Sequence, residues 1–276
     1  MKKDPAHPIF GALLREGALA SRMLGDGATL LKAVSPRQTG ALSIALFSLS
    51  IGLERAGKVA FVVDYRLENG ARFPTDKELR DLGHDLERLY GKVIEIARRR
   101  LNAPEIQTLP TDPIHRAIIT TLSEFARATR YYNLDLIVQN KNALLSHPEV
   151  AWFERVGKPI LAKHYTANRR NRDAAFAADF GGALDKSGTA FRVLATSGDW
   201  VQSASELIQQ EQETELVQRF AQFYTLQIIR FFANTLAGVQ FAAHSAGLEE
   251  VPFFDELFAI FLNDDAYFKR RKTWRT

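Results

Sequence analysis

The sequence contains no cysteine among its 276 residues. Disulfide bonds, thiolate nucleophiles and thiolate metal ligands are therefore excluded together, although this absence does not distinguish a reducing from an oxidising compartment. The six histidines are scattered along the chain and form neither a His-Glu-x-x-His motif nor a local pair. We therefore predict no metal site and no cofactor.

Long uncharged apolar runs are also missing. A membrane-spanning helix needs roughly 18 or more consecutive apolar residues, and even the most apolar predicted helix carries Glu54, Arg55 and Lys58. At the N-terminus, Asp4 and Pro5 stand where an export signal would need an apolar run. We expect no membrane association and a cytoplasmic location.

Two common catalytic loops are absent as well. Residues 181–188 read Gly-Gly-Ala-Leu-Asp-Lys-Ser-Gly, but Asp185 stands where a phosphate-binding loop requires glycine, and its carboxylate would repel phosphate. No Gly-x-Ser-x-Gly elbow offers a hydrolase serine. A surface loop is the simpler interpretation of residues 181–188.

The pattern that is present is helical. Apolar residues recur every three or four positions, and no segment shows sustained alternation of apolar and polar residues. Residues 1–34 favour only a short helix, with a turn at Gly25-Asp26-Gly27. Two capping boxes then predict helices that start at Pro36 and at Thr75, end near Glu68 and Leu101, and pair as an antiparallel hairpin.

Further helices are predicted along the rest of the chain. One starts at Asp112-Pro113 and reaches Leu136, a short one starts at Pro148 and ends by Gly157, and a long one runs from Ser203 to Gly247. A final aromatic helix covers residues 253–262. The predicted fold is an all-α, up-and-down helical bundle. Residues 1–140 would form the first part and residues 141–276 a helical extension with an irregular basic middle, unless both belong to one continuous domain.

The net charge of +4 is modest, but its distribution is uneven. Residues 155–172 contain six basic residues and no acid, with Tyr165 among them and Trp152 nearby. Such a segment could grip phosphates while its aromatic rings stack on bases, although a solvated basic loop explains it equally simply. We predict nucleic-acid contacts from Arg155, Lys158, Lys163, Arg169, Arg170 and Arg172. A second basic cluster ends the chain, where a mobile tail is the simplest interpretation.

Glu54, Lys58 and His84 form the clearest candidate cluster. Glu54 and Lys58 are four residues apart on one helix, which is the spacing of an ordinary surface ion pair. The functional alternative is that they meet His84 at the start of the partner helix, where an imidazole can transfer a proton.

The two segments that carry these residues, 52–65 and 83–90, resemble the helix pair of HEPN domains, the higher-eukaryote and prokaryote nucleotide-binding family. In that family the first helix carries Glu and Lys, and the second begins with His-x-Leu, as His84-Asp85-Leu86 does here. The match covers roughly residues 41–101. The resemblance implies a small up-and-down bundle, frequent homodimerisation and membership of defence or toxin systems.

Many members of that family are metal-independent ribonucleases in which an Arg and a following His activate the ribose 2′-hydroxyl and stabilise the phosphorane. No His in this sequence has an Arg at the required distance, but Arg127 and Arg130 occupy the corresponding region of the third helix. For Arg130, an ion pair with Asp135 is the structural alternative. We assign His84 and Arg130 as candidate catalytic residues and Arg127 as a nucleic-acid-binding residue.

Two hypotheses about function follow. The first is a protein of bacterial defence type that binds or cleaves RNA. The second is a non-catalytic scaffold whose aromatic helices, such as residues 253–261, form a homodimer or bind another partner.

Overall fold

The computed structural model of the protein describes residues 8–36, 40–140, 145–187, 193–194 and 200–274. The chain forms an all-α helical bundle, as predicted. Its helices are α1 (Pro8–Ala33), α2 (Ala41–Glu68), α3 (Asp76–Arg80), α4 (Leu86–Arg100), α5 (Ala103–Ile106), α6 (Pro113–Arg127), α7 (Tyr132–Ile137), α8 (Pro148–Trp152), α9 (Lys158–His164), α10 (Ala167–Phe176), α11 (Gly182–Lys186), α12 (Ala204–Ser245), α13 (Phe254–Leu257) and α14 (Asp265–Arg270).

Helix α1 is much longer than the short helix that the sequence predicted. Gly25 and Gly27 were interpreted as a turn, yet both lie inside α1 and are buried. A Cβ atom on Gly27 would come within 2.8 Å of the Leu49 side chain, and one on Gly52 would come equally close to Leu24. These glycines therefore let α1 and α2 pack closely in antiparallel orientation.

Helix α2 begins later than its capping box predicted. Pro36 lies in a turn, and the helix starts at Ala41 after Gly40, whose φ of 83° places it in the left-handed region that favours glycine. The predicted start at Pro36 is therefore wrong; two residues of that capping box, Arg37 and Gln38, lie outside the described residues.

The predicted second helix is in fact two helices. Thr75 and Glu78 form the expected capping box, but α3 ends at Arg80. Gly83, with a φ of 60°, turns the chain, and Asp85 caps a new helix, α4, by accepting hydrogen bonds from two backbone N–H groups. His84 therefore lies in the loop between α3 and α4.

Helices α2 and α4 run parallel, so the predicted antiparallel hairpin is wrong. Glu54 contacts His84, Gly57 packs on Leu89, and Asp64 pairs with Arg99 and Arg100, so residue numbers rise together along both helices. The segment between the two helices returns along α2, where Tyr65 donates a hydrogen bond to Glu78 of α3. This return brings the start of α4 back to the middle of α2.

Helix α6 starts as predicted, with Asp112 as its cap and Pro113 as its first residue, but it ends at Arg127 instead of continuing to Leu136. A 3₁₀ turn, Thr129–Tyr131, separates it from α7 and carries Arg130. The predicted end of the next helix near Gly157 is also wrong. A π-helical turn, Phe153–Gly157, joins α8 to α9 and places Pro159 near the start of α9, where its missing N–H is tolerated.

The middle region is more regular than expected. From Pro148 to Lys186 it is helical except for a short break near residue 165, with a second π-helical turn, Ala177–Gly181, between α10 and α11. It also contains a feature that was not predicted, a two-stranded antiparallel ribbon of β1 (Val193–Leu194) and β2 (Trp200–Val201), in which Val193 pairs with Val201.

The long C-terminal helix forms as predicted. Ser203 caps α12, and Leu248 donates its backbone N–H to the carbonyl of Ala243 beyond a left-handed Gly247, which is a Schellman motif. The predicted final aromatic helix is replaced by α13 and a 3₁₀ turn, Ala259–Phe261. Helix α14 was not predicted.

Helix α12 packs against α1, α2, α4 and α6, so helices from both halves of the chain share one hydrophobic core. The division of the chain at residue 140 stays a prediction. Among the described helices, none has the length and apolar content needed to cross a membrane.

Candidate functional site

A cavity of about 430 Å³ opens between α1, α2 and the loop that carries His84. Its walls are mainly apolar, with Leu13 from α1 and Ile51, Val59 and Val62 from α2 among them. A few polar side chains converge on this apolar surface. The size and lining are those of a small-molecule site, which is typically an apolar cleft with a small number of placed polar groups. The polar lining residues are Glu16, Glu54, Arg55, Lys58, His84 and Arg130.

Glu54 is the centre of the polar cluster. It lies on α2 with its side chain only 15% exposed, and Lys58, one turn later, donates a hydrogen bond to it at 2.7 Å. His84 Nδ1 lies 3.0 Å from each of the two carboxylate oxygens. Burial by itself raises the pKa of Glu54, but the hydrogen bonds and charges of Lys58 and His84 outweigh it and leave that pKa below its ordinary value. Glu54 is therefore a carboxylate at neutral pH.

The position of His84 follows from the break between α3 and α4. Gly83 supplies the left-handed turn before it, and Asp85 caps α4 directly after it. Asp85 is itself anchored, since Ser123 of α6 donates a hydrogen bond to it and accepts one from the N–H of Leu86. The parallel packing of α2 and α4 then places the imidazole against Glu54.

The arrangement suits proton transfer. A carboxylate that accepts a hydrogen bond from Nδ1–H fixes the imidazole tautomer and leaves Nε2 as the basic nitrogen. The His84 side chain is 62% exposed, so Nε2 is accessible to a ligand. Because Glu54 is ionised, it also stabilises the imidazolium that forms when Nε2 takes a proton.

Arg130 lines the same cavity, so the structure brings together the two residues that were predicted as catalytic. The 3₁₀ turn after α6 carries it there, and its guanidinium lies 5.2 Å from the centroid of the Tyr131 ring. Among the described residues no carboxylate forms an ion pair with Arg130, so the structural alternative of a pair with Asp135 is not seen there. Their catalytic roles stay predictions.

Arg127 has a different environment. Its guanidinium lies 3.2 Å from Asp85 and its Nε donates to the carbonyl of Ser123. The backbone N–H of Arg88 contributes most to holding the pKa of Asp85 below its ordinary value, with Arg127 and Ser123 adding to it. Arg127 thus supports the loop that positions His84, and its predicted contact with nucleic acid stays untested.

Two contributors to the cavity were not identified in the sequence. Arg55 Nη1 lies 2.5 Å from Glu16 on α1, and its Nε is buried without a hydrogen-bond partner among the described residues. In the sequence, only the position of Arg55 next to Glu54 indicated that Arg55 could belong to the site. Nothing in the sequence indicated Glu16, because α1 was expected to be short.

The basic segment between residues 155 and 172 lies elsewhere. Its side chains pair with carboxylates, two of which flank the segment by one residue, so its charge is largely compensated inside the protein. The pairs are Arg155 with Glu124, Lys158 with Glu154, Lys163 with Asp112, and Arg169 and Arg172 with Asp173. Arg170 lies over the ring of Tyr165.

Two of these residues lie far from each other. Arg155 and Lys163 contact Glu124 and Asp112, which are about 18 Å apart along α6 at about 1.5 Å per residue. Trp152 and Tyr165, proposed above as base-stacking rings, are both buried, so that proposal is wrong. The predicted nucleic-acid contacts of Arg155, Lys158, Lys163, Arg169, Arg170 and Arg172 stay predictions, and none of these residues lines the cavity described above.

Among the described residues, no group of three or more His, Asp or Glu side chains is placed to hold a metal ion. Comparison of the chain with protein-family models, with curated proteins and with solved structures found no match.

Proposed function

We propose that this protein binds RNA at the cavity between α1 and α2 and cleaves it without a metal ion. One observation carries the proposal: a histidine held by a carboxylate and an arginine without a carboxylate partner in the described structure line a single apolar cavity. A nucleotide unit presents the matching features, an apolar base face and a charged phosphate.

Each part of the cavity suits one part of a nucleotide. The apolar floor, which includes Ile51 and Val62, suits the face of a base. Arg130 suits a phosphate, because a guanidinium presents a planar set of donors that matches phosphate oxygens. A volume of about 430 Å³ lies within the range of small-molecule pockets.

The proposed reaction is a transesterification. His84 Nε2 takes the proton of a ribose 2′-hydroxyl, and the 2′-oxygen forms a bond to the adjacent phosphorus. The bond from phosphorus to the 5′-oxygen breaks, and that oxygen takes a proton from water. The imidazolium of His84 then returns its proton to the hydroxide that is left, and the products are a 2′,3′-cyclic phosphate and a 5′-hydroxyl. Arg130 stabilises the charge on the phosphoryl oxygens, and Glu54 stabilises the imidazolium.

The proposal also draws on the resemblance of residues 52–65 and 83–90 to HEPN domains. In the ribonucleases of that family the Arg precedes the His in one local motif, whereas here His84 precedes Arg130 and the fold would have to supply the pair. The family also motivates our proposals of a role in defence and of a homodimer.

Cleavage of a mixed RNA pool in the presence of EDTA tests the proposal. General acid–base catalysis typically contributes about 10²–10⁴-fold, so we expect His84→Gln to lower the cleavage rate by about that factor. Arg130→Gln should lower it by a similar amount, because the phosphorane loses its charged partner.

The control is Arg98→Gln, which removes an equal charge from an exposed position on α4 outside the cavity. We expect it to keep the wild-type rate. Cleavage that persists at the wild-type rate in both His84→Gln and Arg130→Gln, or that disappears with EDTA, would contradict the proposal.

A second candidate function, partner binding, is supported by a different observation. Five large apolar side chains are exposed within residues 131–138, namely Tyr131, Leu134, Leu136, Ile137 and Val138. The segment proposed earlier is less suitable, because Phe254, Phe258 and Phe261 are fully buried. Sedimentation of the wild type and of an Ile137→Asp variant would detect an association that depends on residues 131–138.

A further inference from the structure

A second, smaller cavity lies where the end of α1, the middle of α12 and the C-terminal segment meet. Its volume is about 220 Å³, which is below the usual range for drug-sized ligands. Three basic side chains from three different elements reach it: Lys32 from α1, Arg219 from α12 and Lys269 from α14. The other lining residues are Phe220, Gln222, Phe223 and Phe268.

The C-terminal segment is docked firmly enough to form one wall of this cavity. Trp274 is fully buried, and its ring packs edge-on against Phe268 with the centroids 5.3 Å apart. Its backbone N–H donates a 2.8 Å hydrogen bond to Thr29 of α1, three residues before Lys32. The prediction that the tail is mobile is therefore wrong up to residue 274.

The positive charges at this cavity repel one another. Among the described residues, no carboxylate lies within ion-pair distance of Lys32, Arg219 or Lys269. Burial, together with the charges of Arg219 and Lys272, lowers the pKa of Lys32, and the charge of Glu215 opposes this effect only in part. Placing these cations close together therefore costs free energy of folding, and a bound anion would offset this cost.

The aromatic rings that line this cavity limit the kinds of ligand that it can hold. His164 stacks on the face of Phe220 at 3.7 Å between centroids, and the Lys269 ammonium lies 5.0 Å from the centroid of the Phe223 ring. Because each ring already has a partner on one face, this small cavity has little room for a nucleobase to stack. Its size and charge fit a compact oxyanion instead.

We propose that this cavity is a binding site for inorganic phosphate, held by Lys32, Arg219 and Lys269. The site is separate from the cavity that contains His84, since the two share no lining residue. It joins α1, α12 and the C-terminal segment, so phosphate would stabilise the docked position of that segment.

Calorimetric titration of the full chain with phosphate, at constant ionic strength set by chloride, tests this proposal. We expect saturable binding of phosphate. Arg219→Gln and Lys269→Gln should each weaken it by about tenfold or more, because each removes a charged hydrogen-bond donor. Both side chains are exposed, and thermal melts of each variant check that it folds.

Arg270→Gln is the matched control, because Arg270 is an exposed cation next to Lys269 that does not line the cavity. We expect it to keep the wild-type affinity within about twofold. The proposal is overturned if phosphate produces no saturable signal, or if Arg270→Gln weakens binding as much as Lys269→Gln does.

Discussion

Glu54 is the residue on which the candidate site depends, because it contacts both Lys58 and His84. A carboxylate with such partners does two things at once. It orients the imidazole, and it satisfies an ammonium group that would otherwise be partly desolvated beside an apolar cavity. The ion pair with Lys58 on the same helix is therefore only one of the two contacts that Glu54 makes at the site.

The lowered pKa of Glu54 predicts how its contribution to stability depends on pH. A depressed folded-state pKa stabilises the protein above the unfolded value of about 4.5, and this stability is lost as the pH falls through the lower folded-state value. We expect Glu54→Gln to lower the free energy of unfolding by about 1 kcal/mol near pH 7. Urea unfolding from pH 7 to pH 3 should show this difference shrinking below about pH 4.5. A difference that stays constant over this range would contradict the assignment.

At the scale of elements, the packing of α1 on α2 forms one side of the cavity. Small residues at the crossing set the distance between the helices, and this distance keeps Leu13 and Glu16 of α1 near Glu54 of α2. The cavity therefore depends on residues that do not line it.

Gly52→Ala tests this dependence. A Cβ atom there would lie 2.8 Å from Leu24 Cγ and 3.1 Å from the Leu24 backbone nitrogen, so α1 would have to shift. We expect a loss of roughly 1–3 kcal/mol in the free energy of unfolding, the usual cost of overpacking. Chemical denaturation measures it.

Gly91→Ala is the matched control for this substitution. Gly91 lies inside α4, and nothing is within 4 Å of the position its Cβ would take. The same replacement should therefore stabilise the protein by roughly 0.4–1 kcal/mol, because alanine favours the helix and restricts the unfolded chain. If the two substitutions change the free energy of unfolding equally, close packing at Gly52 is not the cause of the change.

At the scale of the whole molecule, the C-terminal segment completes the bundle. Trp274 is buried among Phe261, Tyr267 and Phe268, close to the end of α1. The backbone N–H of Trp274 donates a hydrogen bond to Thr29, so this residue links the C-terminal segment to helix α1.

Trp274→Ala should lower the free energy of unfolding by roughly 3–5 kcal/mol, the usual cost of truncating a buried aromatic side chain. At roughly 2–4 °C per kcal/mol for a protein of similar size, the melting temperature should fall by about 6–20 °C. The neighbouring Thr273→Ala is the control, since Thr273 is exposed and should change stability by less than about 0.5 kcal/mol. If both variants melt at the wild-type temperature, the segment is not anchored as described.

The amino-acid sequence by itself determined the local features of this protein. Spacings of three and four predicted the helical class, and the caps at Thr75, Asp112 and Ser203 were correct because a cap depends only on side chains and backbone groups a few residues apart. The pairing of Glu54 with Lys58 was predictable for the same reason. His84 was selected by its resemblance to a family motif.

Only the tertiary structure decided which helix faces meet. Gly27 resembled part of a turn because its packing partner, Leu49, lies on the next helix, beyond the reach of local sequence patterns. The parallel packing of α2 on α4 depends on the return of the chain between them, which the periodicity of apolar residues does not show. Arg130 reaches the cavity only because α6 ends at Arg127 and a 3₁₀ turn follows. Likewise, the basic residues 155–172 were predicted to be available to a ligand because all of their carboxylate partners lie outside the segment, at the start of α6, on α6 or just beyond the ends of the segment. Contacts between distant residues depend on how the whole chain packs, so they cannot be predicted from local spacing.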